Sequence, residues 1–107
     1  MADKQRTVSN AFQLFLSEAA GYSGPWMEAV GKLSAANPLD DKTKDLAYIA
    51  VLAAVRMESG IPFHVKQAKE HGATRDEVIG AIMIGLPAVG HAVTQALPVA
   101  LAAYDEN

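Results

Sequence analysis

The chain has 107 residues, which is enough for one domain and too few for two. It carries nine Lys and Arg against twelve Asp and Glu without a basic cluster, so it lacks the electrostatic footprint of a nucleic-acid-binding protein. It contains no cysteine, which excludes disulfides, thiolate nucleophiles, iron–sulfur clusters and cysteine-ligated zinc sites.

The first two helices are predicted in the N-terminal third of the chain. Residues 9–20 repeat apolar side chains with helical spacing, and Gly21 is expected to end that helix. A second helix is expected to start in the sequence YSGPW, with Pro25 in its first turn, and to run to about Ala36.

A third helix is predicted over residues 43–57, with Asp40 or Asp41 as its cap. Residues 46–55 are apolar without interruption, and a helix that is apolar all round must be covered all round. The sequence therefore favours a homo-oligomer, although the same residues could instead form the core of a monomer. Asp45 and Tyr48 lie three residues apart and so share one face of this helix.

Three further helices are predicted after the ESGIP break. The fourth runs from about Pro62 to His71 and is followed by Gly72 as a C-terminal capping glycine. A capping box of Thr74 and Glu77 opens the fifth helix, which reaches about Gly85. The sixth spans residues 88–104 and should be kinked at Pro98. The chain is thus expected to be all-α, with about six helices and no β-strand.

Residues 78–104 carry no charge and are numerous enough to span a bilayer. Gly85, Pro87, His91 and Pro98 interrupt this stretch, which favours a buried helical hairpin over a membrane span. The first residues, MADKQRTVSN, lack the apolar segment of a secretory signal, so the simplest expected location is the cytoplasm, with no membrane partner.

Three sequences follow one another along the chain: LDDKTKDL at residues 39–46, HVKQAKEHGATRDEVIGAI at residues 64–82 and GLPAVGHA at residues 85–92. In this respect the chain resembles the carboxymuconolactone decarboxylase family, which also contains the alkylhydroperoxidase D-like proteins. The resemblance covers roughly residues 39–103. It implies a single helical domain over residues 1–107, with N-terminal helices at 1–38 and the family core at 39–104. It also implies a homo-trimer or a homo-hexamer.

The resemblance extends to two branches of the family. Peroxidase-like members carry two cysteines before a histidine, and counting back from His64 places these at Met57 and Gly60. The upstream acid of that branch falls on Asp45. Disulfide exchange requires a thiolate, so activity as a thiol peroxidase is excluded.

The decarboxylase branch uses no cysteine pair. Its glutamate and histidine correspond to Glu58 and His64, and its later histidine to His91, with Gly90 in place of the usual asparagine. The resemblance to this branch implies a lyase or isomerase without a cofactor, acting by acid–base chemistry on a small carboxylated lactone or a related acid. No metal is expected, because His71 lies two turns after His64 rather than at the usual ligand spacing.

The candidate catalytic residues are therefore His64, His91, Glu58 and Asp45. His64 lies where the helix dipole disfavours the imidazolium, so a neutral imidazole could exchange a proton at pH 7. Glu58 could be drawn into a cavity, and His91 needs a polar partner on an apolar helix. Each also has a structural interpretation: local packing for His64, solvation for Glu58, a core or interface contact for His91, and a favourable helix dipole for Asp45.

Glu58, His64 and His91 are predicted to converge on one mostly apolar pocket, with Lys66 or Arg56 available to hold a carboxylate. Convergence would favour an enzyme. Dispersal would favour the alternative function, a non-catalytic oligomeric scaffold or a small-ligand-binding protein.

Overall fold

The computed structural model describes residues 8–106, and within that range it contains helices and turns but no strand. The helices with nine or more residues are α1 (Asn10–Glu18), α2 (Ala20–Ala36), α3 (Asp41–Ala54), α4 (Ile61–Glu70), α5 (Arg75–Met83) and α7 (Leu97–Asp105). A one-turn helix, α6 (Leu86–Val89), and two 3₁₀ segments, Glu58–Gly60 and His91–Ala96, complete the described chain. The prediction of an all-α fold with about six helices is confirmed.

Local side-chain signals set several helix ends as predicted. The Asp40 carboxylate accepts a hydrogen bond from the Thr43 amide at 2.8 Å and caps α3. The Thr74 hydroxyl accepts from the Glu77 amide, and the Glu77 carboxylate accepts from the Thr74 amide, so the capping box is present. Gly72 has a φ of 94°, the left-handed conformation that ends a helix at a glycine.

The boundary between the first two helices differs from the prediction. The chain breaks at Ala19, whose carbonyl accepts the first hydrogen bonds of α2, and Gly21 and Pro25 both lie inside α2. The expectation that Gly21 ends the first helix was therefore wrong. A glycine costs a helix only about 1 kcal/mol relative to alanine. Pro25 removes a single backbone hydrogen bond, to the Gly21 carbonyl in the first turn.

The predicted sixth helix is divided into α6, a 3₁₀ segment and α7. Gly90 breaks the helix, because its φ of 87° and ψ of −168° define a conformation that is essentially restricted to glycine. Pro98 lies in the first turn of α7, where a missing amide hydrogen costs nothing. The predicted kink at Pro98 was wrong for this reason.

The apolar core forms where α3, α4, α5 and α7 meet. Its largest fully buried side chains are those of Ile49, Ile61, Val65, Val78, Ile82 and Val93. The Tyr104 hydroxyl donates to the Ala73 carbonyl at 2.8 Å, and the Lys69 ammonium donates to the Tyr104 carbonyl at 2.8 Å, so α7 is fastened to the end of α4. Helices α1 and α2 lie outside this core and pack on each other.

None of the helices within residues 8–106 combines the length and the apolar character needed to cross a lipid bilayer. The uncharged stretch instead supplies a large part of the core, through Val78, Ile82, Val93 and Ala100. Its exposed apolar side chains lie around the short helix α6, at Ile84, Leu86 and Val89.

Candidate acid–base site

The turn between α3 and α4 sets the relative position of the candidate residues. Arg56 adopts a left-handed conformation with a φ of 63°, and the Met57 amide donates to the Leu52 carbonyl at 2.9 Å, which closes the end of α3. The 3₁₀ segment follows, and Pro62 lies in the first turn of α4. The two helices run antiparallel, so the start of α3 lies beside the end of α4.

Asp45 joins these two helix ends. Its side chain is only 12% exposed, and its Oδ2 atom lies 2.5 Å from Nδ1 of His71. This hydrogen bond raises the pKa of His71 above its ordinary value, and the negative charges of Asp45, Asp41 and Glu70 act in the same direction. The C-terminal end of α4 also favours a cation at this position. Asp45 and His71 therefore form a charge-assisted pair whenever His71 is protonated.

His64 lies one turn into α4 and faces the same helix, α3. Its ring stacks on Tyr48, with centroids 4.2 Å apart and planes inclined by 21°, and meets the Phe63 ring edge-on at 5.2 Å. Burial lowers the pKa of His64, and the negative charge of Asp45 opposes that effect without reversing it. At pH 7 this imidazole is therefore mainly neutral, and it lies between two aromatic rings and near the Asp45 carboxylate.

Glu58 and His91 have different surroundings. Glu58 accepts hydrogen bonds from the Arg56 guanidinium at 3.2 and 3.4 Å. His91 is exposed at the start of a 3₁₀ segment, where its carbonyl accepts from the Thr94 hydroxyl. Within residues 8–106, no hydrogen bond, ion pair or ring contact joins either side chain to His64. Their convergence with His64 on one pocket stays a prediction.

The two cations considered for a carboxylate ligand already have acidic partners. Lys66 lies 2.8 Å from Glu106, and Arg56 is paired with Glu58. An open groove of about 410 Å³ lies beside the Asp45–His71 pair and is lined by Asp40, Asp41, Lys42, Thr43 and His71. This lining combines two carboxylates with the Lys42 ammonium and the His71 imidazole, whose pKa is raised. No cluster of three or more acidic or histidine side chains suited to a metal occurs in the described range.

Sequence analysis did not predict the contact of His71 with Asp45 or the stacking of Tyr48 on His64. The available signal was register: Asp45 and His71 are about equally far from the turn that joins α3 to α4. In an antiparallel helix pair, residues at matching distances from the turn face each other. That rule pairs them from the observed turn, residues 55–60, which starts ten residues after Asp45 and ends eleven residues before His71. The predicted break at ESGIP, residues 58–62, is off-centre and would not have paired them.

These features define an all-helical protein in which a buried carboxylate lies beside two histidines, with no thiol anywhere in its sequence. The model of the carboxymuconolactone decarboxylase family matches residues 23–102, from within α2 to within α7. The chain therefore belongs to the carboxymuconolactone decarboxylase family, as its resemblance implied. Searches of curated proteins and of solved structures found no match to the chain.

Proposed function

We propose that the protein is a lyase or isomerase that needs no cofactor and uses acid–base chemistry on a small carboxylated lactone or a related acid. The observation that carries this proposal is the half-buried His64, whose lowered pKa leaves it mainly neutral beside the Asp45 carboxylate. A neutral imidazole with a carboxylate neighbour can accept and return a proton near pH 7. Membership of the family supports the general class, and the lactone is the proposed substrate.

The proposed chemistry assigns separate tasks to these side chains. Decarboxylation breaks the bond between the substrate carboxylate and its neighbouring carbon, and the electron pair left on carbon must take up a proton. His64 would deliver that proton after gaining one from solvent, while Asp45 offsets the burial of the imidazolium. The Tyr48 and Phe63 rings would surround the substrate carboxylate with apolar surface, which favours the loss of its charge as CO₂.

Glu58 and His91 are proposed to complete the catalytic group once substrate is bound. Glu58 would orient the substrate or relay a proton, and His91 would act as a second proton carrier. A substrate carboxylate could replace Glu58 as the partner of Arg56, because that ion pair is partly exposed and therefore weak. Release of Glu58 from Arg56 would then free its carboxylate for the reaction.

We also propose that the protein assembles as a homo-trimer or homo-hexamer in the cytoplasm, without nucleic-acid or membrane partners. One face of α3 packs into the core, whereas Tyr48, Val51 and Val55 on another face are 52%, 59% and 56% exposed. A contiguous apolar face of this kind typically marks an interface. Because Tyr48 stacks on His64, a second copy on this face would also shield the candidate site from water.

Light scattering of the purified protein tests the assembly. A trimer or hexamer is expected for the wild type, and Val51→Asp should dissociate it because an aspartate would be buried without a partner. Lys32→Asp is the control, because it also makes the protein more negative but does so at an exposed position on α2. A wild-type monomer at micromolar concentration would rule out the proposed assembly.

The catalytic proposal is tested by offering a panel of small carboxylated lactones and unsaturated acids and measuring CO₂ release against heat-killed protein. Release above the control supports a lyase. The alternative function is a non-catalytic scaffold or a small-ligand-binding protein, and the pairing of Glu58 with Arg56 favours it. A ligand that raises the unfolding temperature without being converted would support that alternative.

A further inference from the structure

The Asp45 carboxylate acts on two histidines at once. It is hydrogen-bonded to Nδ1 of His71, and it lies close enough to His64 for its charge to affect that imidazole. His64 makes no hydrogen bond to Asp45 within residues 8–106, and its ring is held by stacking on Tyr48. The direction in which the carboxylate points therefore depends on His71.

We propose that His71 is a positioning residue, which fixes the direction of the Asp45 carboxylate and thereby sets how strongly Asp45 acts on His64. This inference rests on the proposed function, in which His64 is the acid–base group. A nearly buried carboxylate needs a donor, and the contact to His71 meets that need. Without His71, the same carboxylate would be free to turn toward His64.

The backbone around His71 is well suited to hold its ring in one place. Its amide donates to the Gln67 and Lys69 carbonyls at the end of α4, and the left-handed Gly72 follows directly. The Ala73 amide then donates to the Ala68 carbonyl at 2.9 Å, which completes the helix termination. A ring attached to this rigid end can keep a constant geometry to Asp45.

Several other charged groups lie on the elements around His71. On α3, Asp41 has its Oδ2 atom 3.9 Å from Nε2 of His71, and Glu70 precedes His71 on α4. Among the acids of the elements that pack on α4, Glu58 pairs with Arg56, Glu77 with Lys42, Asp105 with Arg75 and Glu106 with Lys66. Asp76 lies in the first turn of α5. Asp45 is thus the carboxylate through which His71 and His64 are linked.

A purely structural role is the competing explanation, in which His71 and Asp45 only tie α4 to α3. That role predicts a change in stability when His71 is replaced, but no specific change in the titration of His64. The two explanations therefore differ in a property that can be measured without knowing the substrate.

The test is an NMR titration of the full-length protein labelled with ¹³C in histidine. The chain has three histidines, so the signals can be assigned from His64→Gln, His71→Ala and His91→Gln. His71→Ala should raise the titration midpoint of His64 by about 0.5 pH unit or more, because the Asp45 carboxylate is released toward it. Leu33→Ala is the control and should leave that midpoint unchanged, because Leu33 is exposed on α2, outside the core.

Two further variants distinguish the effect of the orientation of the Asp45 carboxylate from the effect of losing a charge. Asp45→Asn should lower the His64 midpoint, because the opposing negative charge is gone. His71→Asn should stay close to the wild-type midpoint, since its amide nitrogen can donate to Asp45 from nearly the position of Nδ1. A His64 midpoint that does not rise in His71→Ala, or that rises as much in His71→Asn, would overturn the inference. Neither result bears on turnover, whereas a wild type without turnover would refute the proposed function and leave this titration result standing.

Discussion

Truncation of Ile49 should destabilise the protein strongly, because this side chain is 0% exposed and lies one turn after Asp45 on the buried face of α3. Ile49→Ala removes three carbon atoms. At about 0.8 kcal/mol for each buried methylene, the transfer loss is about 2.4 kcal/mol. An incompletely filled cavity adds about 1 kcal/mol, which gives a loss of roughly 3–4 kcal/mol in the free energy of unfolding. Ile49→Val should lose only about 1 kcal/mol.

Leu33→Ala is the matched control for Ile49→Ala. It removes the same number of carbon atoms from a side chain that is 71% exposed on α2, so its effect should be within about 0.5 kcal/mol. Urea unfolding followed by circular dichroism measures both variants, at one protein concentration because assembly makes stability depend on concentration. Equal losses at the two positions would show that the core does not lie where α3 meets α4 and α5.

Three substitutions test the helix ends and the charged pair, and one assay tests the missing thiols. Thr74→Ala breaks the capping box and should lower the free energy of unfolding by about 1 kcal/mol in urea. Gly72→Ala should cost roughly 1–2 kcal/mol through backbone strain alone, because the space around its Cα is open. The raised pKa of His71 supplies stability that is complete below its unfolded value of 6.5 and is lost as pH rises through the folded value. His71→Ala should thus differ most from wild type near pH 5–6 and least in alkaline solution, in urea titrations at several pH values. Without cysteine, the protein should not reduce an organic peroxide with a thiol reductant above a heat-killed control.

Local chemistry explains which parts of the fold could be predicted from the sequence. The caps at Asp40, Gly72 and Thr74 depend on residues within three or four positions, so their signals are complete in the sequence. Pro98 is different, because the same residue starts a helix or kinks one according to whether the preceding segment is helical. The left-handed conformation of Gly90 ends the preceding helix, so that Pro98 starts a new one, and this conformation cannot be predicted from the sequence alone.

Some residues of the candidate site could be predicted from the sequence, but their contacts could not. Asp45 and His64 were identified from the spacing of the family motifs, and the structure brings them close enough to interact electrostatically. The partner of Asp45 was missed, since the contact with His71 depends on the register of two packed helices. The pairing of Glu58 with Arg56 likewise depends on the left-handed turn at Arg56, a conformation that is uncommon outside glycine.

The role of His64 is tested most directly by the turnover number of His64→Gln relative to wild type, on the panel compound from which the wild type releases CO₂. Loss of a general acid–base group should lower this number by about a hundredfold or more. Circular dichroism and the urea midpoint should stay close to those of the wild type, because His64 is only partly buried and its stacking partner Tyr48 remains. A folded His64→Gln variant that releases CO₂ at the wild-type rate would contradict the assignment of His64 as the proton-carrying residue.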